Sequence, residues 1–109
     1  MLTKELLFRG KSYKIVYFDS MAYHPSWFTF EDESSVRESN WHILPGDIIL
    51  DIGAAYGSYT LTALIQGAAF VYAWSPQEKC GEEPESETQD MLRQSLALNG
   101  WSDKCHIIE

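Results

Sequence analysis

The segment from Asp47 to Gly57, which reads DIILDIGAAYG, constrains the fold more strongly than any other part of the sequence. Its apolar run is continuous rather than alternating, a pattern typical of a parallel strand that is buried on both faces. We therefore predict a central parallel strand in DIILDIG. Glycines at positions 53 and 57 punctuate the turn that follows, and the apolar spacing beyond it predicts a helix over residues 57–66.

The same alternation of strand and helix continues downstream. The predicted elements are a second buried strand in AAFVYAW (68–74), a polar and acidic loop over 76–86, a helix over 87–99, and a third strand that starts at Lys104. Leu92, Leu96 and Leu98 are expected on the inner side of the second helix. With right-handed crossovers, this order predicts an α/β fold: a partial Rossmann-like, doubly wound parallel sheet with three strands and two crossover helices.

The first 44 residues have a different pattern. Two apolar runs within residues 5–19 flank the sequence RGKS and predict a β-hairpin. A short helix is predicted over about residues 33–43, because its acidic start suits a helix N-terminus and Pro45-Gly46 would end it. We thus expect an extension of residues 1–44, followed by an α/β domain of residues 45–109.

Composition and charge disfavour several classes of function. The 109 residues carry 16 acidic and 8 basic side chains, and the net charge of −8 disfavours direct nucleic-acid binding because it repels phosphates. The two cysteines lack metal-ligand spacing, so we predict reduced thiols and no metal site. The apolar cluster near the N-terminus is too short for a signal peptide or a membrane span, which predicts a cytoplasmic protein without membrane association.

The glycine turn is the candidate site. Ligands of open parallel sheets bind beyond the carboxyl ends of the strands, where a glycine lets the backbone approach them closely. The amides at the start of the next helix could meet an anionic group, and Asp51 could accept hydrogen bonds from an ammonium or hydroxyl group. The alternative is purely structural: Gly53 and Gly57 only form the turn, and Asp51 only caps it.

Two phosphate-binding motifs are not satisfied at this turn. A dinucleotide fingerprint needs a glycine where Ala55 stands, and a P-loop needs a lysine directly after Gly57. A dinucleotide-binding half-domain is therefore the weakest of the alternatives.

From Leu44 onward the residues resemble a known family. LPGDIILDIGAAYGSYTLTALIQGAAFVYAW, followed by MLRQSLALNGWSDKCHIIE, is similar to the N-terminal half of S-adenosylmethionine-dependent methyltransferases, most closely the FkbM-like O-methyltransferases. The resemblance covers about residues 44–109. It implies an N-terminal fragment of a methyltransferase domain, S-adenosylmethionine as cofactor, and methyl transfer to an oxygen of a small molecule or sugar. The residues that it assigns to the cofactor are Asp51, Gly53, Ala54, Ala55, Tyr56, Gly57, Ser58 and Ser75.

The sequence departs from the family's pattern in two respects. Ser75 stands where the family carries an acid that holds the ribose hydroxyls, and Glu83, followed by proline, is an alternative for that role. The family takes its adenine contacts and acceptor-binding groups from a second half, so the resemblance names no catalytic base here. The histidines are expected to be surface or packing residues: His24, His42 and His106.

Two functions follow as alternatives. The first is methyl transfer to a small-molecule acceptor, with this chain as the cofactor-binding fragment. The second is a non-catalytic, methyltransferase-like domain that serves as an oligomeric or interaction module. Half of a sheet leaves an exposed edge, through which copies of the chain could form a homo-oligomer.

Overall fold

The computed structural model describes residues 1–21 and 41–108, which form two separate sheets and two helices. The elements are the strands β1 (Leu2–Phe8), β2 (Lys11–Tyr17), β3 (Ile48–Ile52), β4 (Phe70–Trp74) and β5 (Cys105–Ile108), the helices α1 (Ser58–Ile65) and α2 (Thr88–Leu98), and a 3₁₀ turn (Ser102–Lys104). Strands and helices therefore alternate from β3 onward, as the sequence predicts. The predicted short helix over 33–43 falls largely outside the described residues.

The N-terminal hairpin is confirmed. β1 and β2 pair antiparallel with Phe8 opposite Lys11, and the two-residue turn between them has positive φ angles of 48° at Arg9 and 77° at Gly10. Such a turn matches the twist of a hairpin. Beyond it, Tyr13 and Ile15 of β2 are buried in the main core. The hairpin therefore packs against the rest of the chain rather than standing apart from it.

Helix α2 and its C-cap residue, Asn99, hold the hairpin through side chains that bond the backbone of β2. The Asn99 side chain accepts from the Lys14 amide at 2.8 Å and donates to the Lys14 carbonyl at 2.7 Å. The Val16 amide donates to the Ser95 hydroxyl at 3.0 Å. These contacts satisfy three backbone groups of β2 that its pairing with β1 leaves free.

The parallel sheet has the strand order β3-β4-β5, with Ile48 opposite Phe70 and Val71 opposite Cys105. The central strand is thus β4, and the prediction that DIILDIG forms a central strand buried on both faces is wrong. Ile48, Leu50 and Ile52 of β3 are exposed. The alternate residue, Ile49, packs against the core.

Both helices lie on the same side of this sheet, which explains the exposure of β3. Leu61 and Leu64 of α1 share one buried cluster with Leu92 and Leu96 of α2 and with Val71 of β4. Right-handed crossovers that step in one direction across a sheet place their helices on one face. Within the described residues, the opposite face of the sheet has no such layer.

The helix ends agree with the predictions, with one correction on α2. Gly67, with a φ of 102°, follows the end of α1, and Gly100, with a φ of 72°, follows the end of α2. The sequence predicts Leu98 on the inner side of α2, but Leu98 is exposed. Two residues along a helix rotate by about 200°, so Leu98 cannot share a face with Leu96.

Candidate functional site

The turn between β3 and α1 lies at the carboxyl end of the sheet, and β4 supports it. The amides of Gly53 and Ala54 both donate to the carbonyl of Trp74, at 2.9 and 3.0 Å. The Gly57 amide donates to the carbonyl of Ala54 at 2.9 Å. The backbone of the turn is therefore fixed by the end of the neighbouring strand before any ligand binds.

The two glycines of the turn have different surroundings. A Cβ at Gly57 would lie 2.4 Å from Cδ1 of Leu92, so close packing against α2 requires a glycine there. A Cβ at Gly53 would meet no atom within 4 Å. Both have positive φ, at 105° and 81°. Gly57 thus serves packing, whereas the backbone at Gly53 borders open space that a ligand could occupy.

Ala55 also has a positive φ, of 51°, although it is not a glycine. This is the position at which a dinucleotide fingerprint would carry its second glycine. A left-handed conformation costs an alanine about 1–2 kcal/mol, which the surrounding hydrogen bonds must offset. The turn therefore holds its shape against a local backbone preference.

Asp51 anchors the start of α1. Its Oδ2 accepts a hydrogen bond from the hydroxyl of Thr60 at 2.7 Å, and Thr60 is fully buried. This contact fixes one carboxylate oxygen and leaves the other without a hydrogen-bond partner among residues 1–21 and 41–108. Asp51 thus has a structural role as a partner of Thr60 rather than as a cap of the turn, and its second oxygen is available as an acceptor beside the turn.

The first turn of α1 has no side-chain cap. Gly57 occupies the N-cap position, no side chain of the described residues bonds the cap, and the first turn contains no acid. The amide groups at a helix start carry partial positive charge, and an uncapped start can accept an anionic group. An acceptor carboxylate and a set of donor amides therefore lie at the two ends of the same short turn.

Exposure divides the eight predicted cofactor residues into two sets. A ligand could reach the exposed or half-buried ones, which are Asp51, Gly53, Ala55, Tyr56 and Ser58. The buried ones lie beneath them, and these are Ala54, Gly57 and Ser75. The structure thus brings all eight to one end of the sheet, but only the first set forms a surface there.

Ser75 is part of the support rather than of that surface. Its side chain is fully buried, and its hydroxyl donates to the carbonyl of Ala55 at 3.1 Å. Its own carbonyl accepts from the side chain of Gln89. The end of β4 is thereby tied both to the glycine turn and to α2.

Glu83, the alternative to Ser75 for holding the ribose hydroxyls, is bonded by a residue just beyond the hairpin. Its carboxylate accepts from the hydroxyl of Ser20, at 2.8 Å for Oε2, and Ser20 also accepts from the amide of Glu82 at 2.9 Å. This contact ties the acidic loop to residues beyond β2. In this arrangement the carboxylate of Glu83 helps to hold the acidic loop in place.

Two buried polar residues at this end of the sheet escaped the sequence analysis, namely Thr60 and Gln89. Thr60 orients Asp51, and Gln89 ties α2 to the end of β4. Their signal in the sequence is faint, because it consists only of polar residues on the inner faces of two helices. Their partners lie 9 and 14 residues away in the chain.

The cysteines are free thiols, and Cys105 begins β5, at the opposite end of the sheet from the glycine turn. Burial raises the pKa of the Cys105 thiol to about 11, and the negative charge of Asp51 adds to this effect. Burial, followed by the charge of Glu78, also raises the pKa of Cys80. Both side chains therefore stay protonated near neutral pH, which argues against a nucleophilic thiolate.

Other candidate groups lie away from the turn. His42 is exposed, His106 lies on the uncovered side of the sheet with its ring 6.3 Å from that of Tyr72, and His24 is outside the described residues. A groove of about 420 Å³ between α2 and β5 is lined in part by Arg93, Ser102 and His106. It is separate from the glycine turn.

Metal and membrane sites were searched over the same ranges. Residues 1–21 and 41–108 contain no group of three or more His, Cys, Asp or Glu side chains placed to hold a metal ion. None of the helices in these ranges is long and apolar enough to span a bilayer.

Comparisons with known proteins assign no family to this geometry. No protein-family model matches the chain, and no curated protein matches it. A ligand for the turn must therefore be argued from the residues that form it.

Proposed function

We propose that the turn from Asp51 to Ser58 binds the methionine end of S-adenosylmethionine, as the cofactor-binding part of a methyltransferase for a small-molecule acceptor. We further propose that β3, β4 and β5 are half of a Rossmann-like, doubly wound sheet. The resemblance of residues 44–109 to FkbM-like O-methyltransferases motivates both proposals. The observation that carries the first is the open backbone at Gly53 between an acid and an uncapped helix start.

The chemistry of an amino-acid tail suits this arrangement. The ammonium group needs an anionic acceptor, which the second oxygen of Asp51 supplies while Thr60 holds the first. The carboxylate needs donors, which the first amides of α1 supply. The sulfonium and the adenosine would then extend over Gly53, where even an added Cβ would meet no atom within 4 Å.

The end of β4 limits how tightly the ribose can be held. An acid at position 75 would offer two acceptor oxygens to the ribose hydroxyls, whereas the hydroxyl of Ser75 is buried and donates to Ala55. The proposal therefore places most of the affinity at the methionine end. Methyl transfer itself is an in-line displacement, in which the protein mainly aligns donor and acceptor.

Two free cysteines also support a reducing compartment, such as the cytoplasm, for this chain. Neither Cys80 nor Cys105 is joined in a disulfide.

Calorimetric titration tests the cofactor proposal. S-adenosylmethionine and its demethylated product S-adenosylhomocysteine should bind with micromolar or lower dissociation constants. Asp51→Asn should weaken binding about tenfold or more, because a hydrogen bond to a charged group contributes about 1.5–3 kcal/mol. Absence of binding by both ligands would exclude the proposal for this chain.

Asp47→Asn is the matched control. Asp47 lies just before β3, at its opposite end, is also half-buried, and likewise accepts one hydrogen bond, from the amide of Leu44 at 3.0 Å. Its substitution removes the same charge without touching the turn. Equal losses of affinity in the two variants would show that net charge, and not the site, governs binding.

The non-catalytic alternative is favoured by a different observation, the uncovered side of the sheet. Ile48, Leu50 and Ile52 present a row of apolar side chains there. An interaction module needs such a surface, whereas cofactor binding at the turn does not. What covers this side of the sheet is a separate question from the cofactor.

A further inference from the structure

The side of the parallel sheet opposite the helices carries an apolar surface that the proposed cofactor site does not use. We name it the outer face. Its members alternate along β3 and β4 with the residues that pack on the helices, and they are Ile48, Leu50, Ile52, Tyr72 and Trp74, with 69, 60, 70, 42 and 50% of their surface exposed.

The outer face is continuous across strands. The register sets Leu50 beside Tyr72 and Ile52 beside Trp74, which gives an aliphatic row on β3 and an aromatic row on β4. The ring of Tyr72 also lies 6.3 Å from the ring of His106, so the surface reaches β5. None of the five members of the outer face carries a charge at neutral pH.

The size of this surface approaches that of an interface. Its five residues together expose on the order of 600 Å² of accessible surface, which is the upper end of the largest apolar patch on a typical monomer. A stable interface buries about 800 Å² per partner, and the flanking Phe70 and Ile108 supply part of the difference. Parallel sheets occur almost only with both faces covered.

The pattern of the outer face is complementary to itself. A two-fold axis that runs along the strands, between β3 and β4, sets the aliphatic row of one copy against the aromatic row of the other. Two sheets packed in this way lie about 10 Å apart and interdigitate their side chains. The absence of charge on these five residues means that the chain's net charge of −8 is not concentrated at the contact.

We propose that two copies of this chain associate through their outer faces to form a symmetric dimer. The contact is made by side chains of β3 and β4, and it does not involve pairing of β3 edges. It leaves the turn from Asp51 to Ser58 accessible, because that turn lies at the carboxyl end of the sheet. It rests on the non-catalytic alternative, since the helices of a complete doubly wound sheet would cover the outer face. Higher salt should strengthen it, since salt screens the repulsion between the two acidic copies.

Light scattering coupled to size exclusion tests the dimer with a closely matched pair of variants. Wild type at 100 µM should have twice the mass of the chain, and Leu50→Asp should raise the dissociation constant about tenfold or more, because a symmetric contact loses the leucine twice. Leu7→Asp is the control: Leu7 lies in the hairpin strand β1 and is 63% exposed, against 60% for Leu50. It should leave the dimer intact. A monomeric wild type at 100 µM would overturn the proposal, as would equal effects of the two substitutions.

Fluorescence of Trp74 separates a face contact from an edge contact. β4 is the central strand, so pairing of β3 edges leaves Trp74 as exposed as before, whereas a face contact buries it. The emission of wild type should therefore shift to shorter wavelength as concentration rises through the dimer range, and a Trp74→Phe variant should lack that shift. A dimer that forms without a shift attributable to Trp74 would overturn the face contact. Circular dichroism of each variant verifies that it is folded.

Discussion

Substitution of Gly57 tests whether the glycine turn is built as described. In Gly57→Ala the new methyl group would lie 2.4 Å from Cδ1 of Leu92, at a residue whose φ is 105°. Leu92 is fully buried, so it cannot move without disturbing the core around it. The substitution therefore adds both backbone strain and overpacking.

The magnitude follows from these two effects. The positive φ costs an alanine about 1–2 kcal/mol, and an extra methyl group in a packed core costs about 1–3 kcal/mol. For a chain of this size, a loss of about 3 kcal/mol lowers the melting temperature by on the order of 15 °C. Thermal and urea unfolding followed by circular dichroism measure both quantities.

Gly53→Ala is the internal control. Gly53 also has a positive φ, of 81°, but its Cβ would meet no atom within 4 Å, so only the backbone cost of about 1–2 kcal/mol applies. A double variant, Gly57→Ala with Leu92→Ala, should cost less than the sum of the two single changes, because the smaller side chain makes room for the methyl group. Equal losses of stability in Gly57→Ala and Gly53→Ala would refute the packing role of Gly57.

Two further predictions concern other parts of the fold. Asn99→Ala removes both side-chain bonds to the Lys14 backbone, so it should reduce the free energy of unfolding by about 1–3 kcal/mol, as urea unfolding would measure; no change would show that α2 does not hold the hairpin in this way. The pKa of Cys105 is raised from 9.0 to about 11, so the native state keeps a proton that the unfolded state releases. Stability from this group is therefore complete below about pH 9 and is lost as pH rises to about 11. Urea midpoints of wild type should fall over that range more than those of Cys105→Ser, and parallel curves would contradict the shift.

The order of elements could be predicted from the sequence because its signals are local. Gly57, Gly67 and Gly100 mark helix boundaries by their own backbone preferences, and each has a positive φ in the structure. The hairpin turn at Arg9-Gly10 is equally local. Because residues close in sequence determine these features, a single sequence is enough to predict them.

The burial of β3 could not be predicted in the same way. A continuous apolar run indicates that both faces of a strand prefer to avoid water, but it does not say which elements cover them. In this chain α1 and α2 lie on one face, so Leu50 is exposed while Ile49 packs inside. The apolar pattern of β3 is consistent with a covered outer face, which is what the proposed dimer supplies.

The candidate site can be proposed from the sequence, but its internal contacts cannot. The glycines and Asp51 stand out by type and spacing. The bond from Thr60 to Asp51 and the bond from Ser75 to Ala55 depend on how a helix and a second strand approach the turn. Asn99 shows the same limit. Its position in the sequence predicts the end of a helix, but its side chain bonds a residue 85 positions away.

Nuclear magnetic resonance of the labelled chain during titration with S-adenosylhomocysteine tests the central claim most directly. The account predicts that the amide signals of Gly53, Ala55 and Ser58 shift in a saturable manner, while those of Gly10 in the hairpin turn and Gly100 after α2 stay in place. Adenosine alone should shift them far less, because it lacks the methionine end. Signals at the turn that remain unmoved at millimolar ligand, or shifts confined to the groove around Arg93 and His106, would contradict the account.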